Sequence, residues 1–191
     1  MTKTDICNRA LGILGHDRFI EDYETDTSTE AERCRQLYPT ALSHLLYAHE
    51  WDFATEERAI ALGLPMEDGA CRIPIPDDCA RLIGIYDGSG EPLKVKRVRG
   101  KSAFVWPRGE GYAKMRYISN DLEVDELPPP FVEALEHRLA HLLCAPMFGD
   151  PQRSANFLQL ADAALSRAKA IEANETRYCG DAGNKYAEAR R

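Results

Sequence analysis

The sequence predicts an α+β fold: a helical bundle formed by N- and C-terminal helices, with a β-rich insertion between them. Apolar residues recur at helical spacing near both ends of the chain, which is typical of amphipathic helices. Between residues 54 and 119 this period vanishes, and short runs rich in Val, Ile, Tyr and Phe alternate with Gly and Pro turns. Because the first two helices cannot bury their apolar stripes on each other alone, the two ends should close into one bundle. The predicted domains are residues 1–53 with 120–175, the β insertion 54–119, and a flexible C-terminal tail 176–191.

Two helices are predicted before the insertion. The first covers residues 4–14, with Thr4 as N-cap and Gly15 as the residue that ends it. The second begins after Ser28 or Thr29, either of which can cap it. Its apolar positions recur at helical spacing and are Cys34, Leu37, Tyr38, Ala41, Leu42, Leu45 and Leu46.

Pro39 interrupts the pattern of the second helix. Its ring has no N–H to donate and clashes with the preceding turn, so we expect a kink or a division into two helices, at a cost of about 3 kcal/mol unless packing offsets it. Beyond this helix, Trp51 and Phe53 are expected to be structural anchors in the core, because large aromatic side chains bury much apolar surface.

Six strands are predicted in the insertion, separated by turns. The Gly-containing links 87–90 and 107–111 supply residues that tolerate a positive φ, as tight hairpins require. Pro74 and Pro76 predict a bend or a single helical turn over 74–80 at a sheet edge. The predicted strands are Thr55–Leu62, Cys71–Ile73, Leu82–Tyr86, Leu93–Val98, Ala103–Trp106 and Tyr112–Ile118.

After a run of three prolines the helical period returns. A third helix is predicted there, ended by Pro146 and Gly149. Asp150 followed by Pro151 is typical of a helix start, and the fourth helix should run to about Ala173. Its inward-facing residues are predicted to be Leu158, Ala161, Leu165, Ala168 and Ile171.

The chain of 191 residues has 24 Lys and Arg against 31 Asp and Glu, a formal net charge of -7. This balance argues against a general nucleic-acid coat protein and a polybasic membrane-binding protein. No apolar run is long enough to span a membrane, and the first residues lack the apolar core of a secretory signal, so synthesis in the cytoplasm is expected. The six Cys residues form no C-x-x-C pair and are expected to be buried thiols.

The charges are unevenly distributed along the chain. Between Glu91 and Ile118 there are eight basic residues against Glu91 and Glu110, a local balance of +6, whereas residues 17–32 carry seven acids and 121–126 carry four. Such segregation is typical of a solvated strand face, of a head-to-tail interface in which a basic patch meets an acidic patch of the next subunit, or of a surface facing DNA. The basic segment shows no interleaved stacking aromatics, which disfavours DNA. The basic patch, predicted to be an intersubunit or channel-facing surface, comprises Lys94, Lys96, Arg97, Arg99, Lys101, Arg108, Lys114 and Arg116.

Few residues suggest catalysis or a cofactor. His137 and His141, at i and i+4, share a helical face and can bind a metal, but Arg138 stands where a zincin helix has its water-activating Glu. The Gly pairs in 88–90 and 109–111 lack the third Gly and the following helix of a dinucleotide site. We therefore expect no enzyme activity, no catalytic or cofactor-binding residue, no metal site and no cofactor.

Several short runs stand in a distinctive order along the chain. They are Asp5–Gly15, Thr29–Ala31, Leu45–Leu46 leading into His49–Ala54, Ile75–Leu82, Asp125–Pro128 and Phe131–Leu135. In this order and spacing they resemble the tail tubular protein A family, the head–tail adaptors of short-tailed bacteriophages and related prophages. The resemblance covers about residues 4–170.

The resemblance implies a structural protein of the virion and not an enzyme. Adaptors of this family form a ring, usually of about twelve subunits, that docks beneath the portal, extends the DNA channel and presents a platform for the tail nozzle. The expected partners are other copies of this chain, the portal protein, the nozzle protein and double-stranded DNA that passes without sequence-specific binding, with no membrane. The expected location is the head–tail junction of the virion tail, after assembly in the host cytoplasm. Since C-terminal segments of the family can reach into the portal, the predicted portal-contacting residues are Arg177, Tyr178, Lys185 and Tyr186.

Two alternatives stay open. A connector of a long-tailed phage also forms rings but is smaller and more helical, so little β structure between 54 and 119 would favour it. A small metal-dependent hydrolase that uses His137 and His141 belongs to a different class, and a stoichiometric bound metal would favour it.

Overall fold

The computed structural model describes residues 1–62, 66–98, 102–107 and 112–181, except the side chains of 97–98 and 176–181. This part of the chain contains helices and antiparallel sheets, so the predicted α+β class is confirmed. The α-helices are α1 (Lys3–Ile13), α2 (Thr29–Ala48), α3 (Pro129–Phe148) and α4 (Pro151–Asp181). The strands are β1 (Thr55–Ala61), β2 (Cys71–Pro74), β3 (Cys79–Tyr86), β4 (Lys94–Val98), β5 (Ser102–Trp106) and β6 (Tyr112–Ser119).

The chain divides into two compact units. The helical unit comprises Met1–Leu45 and the chain from Glu123 onward, and the β unit comprises Leu46–Leu122. The β unit therefore begins earlier and ends later than the predicted insertion 54–119. Within the helical unit, α1 packs against α3 and α3 packs against α4.

The segment before β1 belongs to the β unit through its tertiary contacts. The Arg81 guanidinium donates to the carbonyl oxygen of Tyr47 at 3.2 Å and pairs with the Glu50 carboxylate at 3.3 Å. Trp51 is 1% exposed, and its ring centroid lies 5.8 Å from that of Phe53. Burial confirms the anchoring role predicted for Trp51, whereas Phe53 is only half-buried.

The cap of α1 differs from the prediction. Thr2 and not Thr4 is the N-cap: its hydroxyl accepts the Asp5 N–H, and the Asp5 carboxylate accepts the Thr2 N–H, which makes a capping box. Thr4 is already the second residue of the helix, and its hydroxyl accepts the N–H of Tyr23 at 3.0 Å. Gly15 follows the helix with a φ of 69°, as its predicted role requires. The buried stripe of this segment is Ile6, Cys7, Ala10, Leu11 and Leu14.

The α2 helix continues through Pro39, so the predicted possibility of two helices is wrong. Pro39 is exposed, whereas Tyr38 and Ala41 beside it are buried. The burial of that stripe offsets the hydrogen bond that proline cannot make. Of the two predicted caps, Ser28 fills the position, since its hydroxyl accepts the N–H of Ala31 at 3.2 Å.

The α3 helix also runs through a proline. It continues past Pro146 to Phe148, so the predicted end at Pro146 is early, and Gly149 ends the helix with a φ of 62°. Pro146 is exposed and removes one hydrogen bond near the end of the helix, after most of the buried stripe has been formed. That stripe is Phe131, Val132, Ala134, Leu135, Leu139, Ala140, Leu143 and Cys144.

The α4 helix is longer than predicted. It passes Ala173 and ends at Asp181, so residues 176–181 of the segment predicted as a flexible tail are helical, and 182–191 lies outside the described residues. Each residue added to an existing helix gains a hydrogen bond without a new nucleation cost, which explains the extension. Leu158 is 36% exposed, so its predicted inward position is also wrong. The buried stripe consists of small residues, which let helices approach closely: Ala161, Ala164 and Ala168.

The described strands form two three-stranded antiparallel sheets. The first sheet has the order β1-β6-β3 and the second the order β2-β5-β4. All six predicted strands are present with small shifts at their ends. The described part of 54–119 is therefore rich in β structure, and the scarcity of strands that would favour a long-tailed connector is not observed there.

The two sheets are linked by the turn between β3 and β4. Gly90 has a φ of 89°, and the Leu93 N–H donates to the Ile85 carbonyl oxygen at 2.8 Å. Pro74 ends the edge strand β2, and a turn follows before β3, as predicted for 74–80. Alternate residues of both sheets share one apolar core, formed by Ile73, Ile75, Ile85, Leu93, Ala103, Val105, Ala113, Met115 and Tyr117.

The cysteines of the described residues are mostly buried. Burial as predicted is confirmed for four of them, and the fifth is half-buried. The buried four are Cys7, Cys34, Cys71 and Cys144, the half-buried one is Cys79, and the side chain of Cys179 lies outside the described residues.

Candidate functional site

The basic patch is divided between the outer faces of the two sheets. Lys94 and Lys96 on β4 point away from the shared core of the β unit, and so do Lys114 and Arg116 on β6. Lys94 and Lys96 belong to the second sheet, and Lys114 and Arg116 belong to the first. The other predicted members fall outside the described residues or side chains: Arg97, Arg99, Lys101 and Arg108.

The outer face of the first sheet is of mixed charge. Lys114 lies opposite Tyr86 in the strand register, and Arg116 lies between Glu57 and Gly84. A Cβ added to Gly84 would come within 3.1 Å of the Tyr86 hydroxyl oxygen, so the tyrosine side chain lies across the glycine. Because Glu57 is opposite Arg116, part of the positive charge on this face is balanced.

The outer face of the second sheet alternates cations with aromatic rings. Lys94 lies opposite Trp106, with its Nζ 4.9 Å from the ring centroid. In the next row Phe104 stands between Lys96 on β4 and Arg72 on β2. We call these five residues the second-sheet face. The expectation that no aromatics are interleaved with the basic residues is therefore wrong.

Phe104 and Trp106 were not among the predicted site residues. The sequence holds a partial signal, since Lys94 and Lys96 occupy alternate positions of one strand and the two aromatics occupy alternate positions of another. Alternation places each pair on a single face. Only the register of β4 and β2 against β5 shows that the cations and the rings share that face, because one residue of slip would place them on opposite sides.

The two acidic segments, 17–32 and 121–126, meet in the helical unit. They contribute to the lining of one cleft of about 440 Å³ beside the ring of Tyr23. Hydrogen bonds from Thr25 lower the pKa of Asp22, so this carboxyl group is ionised at neutral pH. The acids of this acidic cleft are Asp22, Glu24, Glu123 and Asp125, and Lys3 also lines it.

The loop 17–26, which supplies part of the acidic cleft, is held by side chains from the helices. The Asn8 amide on α1 donates to the Ile20 carbonyl oxygen at 2.9 Å and accepts the Ile20 N–H at 2.8 Å. The Arg35 guanidinium on α2 donates to the carbonyl oxygen of Tyr23 at 2.7 Å. A segment without helix or strand is thereby kept in place at the cleft.

His137 and His141 do not form part of a metal-ligand cluster. The His141 Nδ1 lies 3.1 Å from the Ser154 carbonyl oxygen, a hydrogen bond that joins α3 to α4. The His137 Nδ1 is buried and has no hydrogen-bond partner among the described residues. Within the described ranges, no group of three or more His, Cys, Asp or Glu side chains is arranged to hold a metal. Within the described residues, no third side chain is therefore placed to complete a metal site with these two histidines.

A buried carboxyl group lies between α1 and α3. Glu136 is 8% exposed, and its Oε1 accepts a hydrogen bond from the Arg9 guanidinium at 3.2 Å. Burial raises the pKa of Glu136, while Arg9 and, more weakly, His137 act to lower it and Glu133 to raise it. The cost of burying the charge therefore outweighs the attraction of a partner that is largely exposed.

Glu136→Gln is expected to change how stability depends on pH. Because the pKa of Glu136 is higher in the folded than in the unfolded state, its stabilising contribution is complete below the unfolded pKa and declines as pH rises through the folded pKa. Glutamine resembles the protonated form and keeps an acceptor for Arg9. The free energy of unfolding of the variant minus that of the wild type should therefore increase as pH rises from about 4 to 7. Urea denaturation at several pH values measures this difference. A difference that is constant or shrinks over this range would contradict the prediction.

The predicted portal-contacting residues lie at or beyond the end of α4. Arg177 and Tyr178 are in its last turns, with side chains outside the described set. Lys185 and Tyr186 follow Asp181 and are outside the described residues altogether. The structure thus shows that a helix leads to the first two of these residues.

None of the described helices combines the length and the apolar character needed to cross a bilayer. Compared with known proteins, the sequence matches no protein-family model and no curated protein.

Proposed function

We propose that this protein is a structural subunit of a phage head–tail adaptor, which assembles head-to-tail into a ring that joins the portal to the tail and extends the DNA channel. The observation that carries the proposal is the presence of two oppositely charged surfaces on one chain. The helical unit has the acidic cleft, and the β unit has outward-facing Lys and Arg side chains on both sheets. The resemblance of the sequence to tail adaptors supports the same function.

A ring needs two different complementary surfaces on each subunit. In head-to-tail association one surface of a copy binds the other surface of the next copy, and the series closes when the rotation permits. Attraction between opposite charges favours this orientation over contacts between like surfaces. The acidic cleft of one copy is therefore the proposed partner of a basic outer face of the next.

The other proposed partners follow from the same assembly. The portal and the nozzle bind the two ends of the ring, and the last turns of α4, with Arg177 and Tyr178, belong to the portal-facing segment. Double-stranded DNA passes through the ring without sequence-specific binding. A total charge of -7 suits a channel in which DNA must slide, because a strongly basic lumen would hold the phosphates.

Reversal of the charges tests the head-to-tail interface. One set of variants reverses a basic face, as K114E/R116E or K94E/K96E, and another reverses the cleft, as D22K/E24K/E123K. Each variant alone should weaken self-association by about tenfold or more. If the free chain is monomeric, self-association is measured in the presence of portal rings. Native mass spectrometry and electron microscopy measure the assemblies.

A mixture of the two kinds of variant is the decisive measurement. The unchanged cleft of a variant with a reversed basic face is complementary to the unchanged basic face of the variant with a reversed cleft. The two reversed surfaces are also complementary to each other, so rings in which the two variants alternate should form. Arg18→Glu serves as the control, because it changes the net charge on an exposed residue outside the cleft lining. Wild-type assembly by every single variant, or failure of each mixture, would refute the proposed interface.

A further inference from the structure

We propose that the second-sheet face binds single-stranded nucleic acid. The surface consists of Arg72, Lys94, Lys96, Phe104 and Trp106. Its three cations are exposed and its two rings are half-exposed. The inference concerns a binding activity beyond the adaptor function and does not depend on it.

The two rings are spaced for separate bases. Phe104 and Trp106 occupy alternate positions of β5, so their Cα atoms are about 6.6 Å apart along the strand. This spacing is about twice the 3.4 Å rise between stacked bases. Each ring can therefore stack with its own base when the nucleic-acid strand is extended and its bases are unstacked.

The cations are placed to bind the backbone beside those bases. Arg72 and Lys96 lie on opposite sides of Phe104. The Lys94 Nζ lies over the Trp106 ring, 4.9 Å from its centroid, and its flexible side chain can turn to a phosphate when a base stacks on that ring. The Arg72 Nη2 donates to the Ser102 Oγ at 3.0 Å, which holds the guanidinium at the surface. The described strands β2, β4 and β5 contain no acidic residue, so phosphates meet no opposing carboxylate from these strands.

The aromatic rings favour a single strand over a duplex. Base pairing and stacking hide the faces of bases inside a duplex, whereas unpaired bases present them to aromatic side chains. A duplex would use the cations of this face and leave Phe104 and Trp106 without a role. The observations therefore favour single-stranded nucleic acid over duplex DNA.

Fluorescence anisotropy with the full chain tests the proposal. The probes are a labelled oligothymidylate of about 12 nucleotides and a duplex of the same length, titrated at low and moderate salt. The single strand should bind more tightly, and binding should weaken as salt rises. Replacing the ring by F104L or W106L should weaken single-strand binding by about 5- to 150-fold, and K94E/K96E should also flatten the salt dependence.

Matched controls separate this site from general electrostatic attraction and from misfolding. Phe19→Leu removes a ring that is 60% exposed in the helical unit, and Arg18→Glu makes the same change of charge as one reversed lysine of the face. Both controls should bind the single strand as the wild type does. Circular dichroism checks whether F104L and W106L are folded, and the lysine variant tests the face independently of the core.

Several outcomes would overturn the proposal. One is a failure of the wild type to bind the single strand at low salt. Another is equal binding of strand and duplex with no effect of F104L or W106L, which would indicate attraction to phosphates alone. A third is loss of self-association without loss of strand binding in these variants, which would identify the face as a protein interface.

Discussion

Leu139→Ala is expected to lower the free energy of unfolding of the helical unit by about 2–5 kcal/mol. Leu139 is 0% exposed in the middle of α3, the helix that packs against both α1 and α4. Truncation removes apolar contacts and leaves a cavity that the neighbouring helices can close only in part. Urea denaturation followed by far-ultraviolet circular dichroism measures the loss.

Leu158→Ala is the matched control for this substitution. It makes the same chemical change in α4 at a position that is 36% exposed, although the sequence predicts that it faces inward. Its cost should be about 1 kcal/mol or less, because the side chain loses less surface on folding. Equal costs for the two variants would contradict the exposed position of Leu158 on α4.

Trp51→Ala is expected to destabilise the β unit by about 3–5 kcal/mol. The ring is 1% exposed and meets the His49 ring edge-on, with 5.0 Å between centroids. Its loss removes one of the largest buried side chains just before β1. The emission of the remaining tryptophan, Trp106, reports the unfolding of this unit in urea.

Trp106→Ala provides the comparison for Trp51→Ala. Both variants lose a tryptophan, but Trp106 is half-exposed on the second-sheet face and should cost about 1–2 kcal/mol. Unfolding is followed by circular dichroism in both. A cost for Trp51→Ala no larger than that for Trp106→Ala would contradict the anchoring role of Trp51.

Local signals in the sequence predict most of the secondary structure. Alternation over residues 112–117 indicates a strand with one buried face, and the structure buries Ala113 and Met115 while it exposes Lys114. A Gly that follows a helical pattern indicates the end of the helix, and Gly149 takes the positive φ that this position predicts. These features depend on neighbours along the chain, so reading the sequence is sufficient for them.

The errors arise where distant residues decide. Pro39 does not divide α2, because buried residues on either side of it stabilise the continuous helix. Thr4 does not cap α1, because its hydroxyl binds the N–H of Tyr23 in a later loop. A local rule assigns the preference of a residue, and long-range packing can outweigh that preference by a few kcal/mol.

The candidate sites show the same division. Lys94, Lys96, Lys114 and Arg116 are recognisable as a basic cluster from their density in the sequence. Their distribution over two sheets depends on strand order. The acidic cleft likewise joins segments that are far apart in the chain, and neither segment alone indicates that the other lies beside it.

The sequence by itself determined the fold class, the six strands and the separation of acidic from basic residues, because hydrophobic period, turn residues and charge are local properties. Only the tertiary structure decided which of these charges act together. Antiparallel register brought Phe104 between Arg72 and Lys96. The hydrogen bonds of Asn8 and Arg35 held an irregular loop at the acidic cleft. Such contacts join residues far apart in the chain, and their geometry depends on the packing of the whole unit and not on the spacing of residues along the sequence.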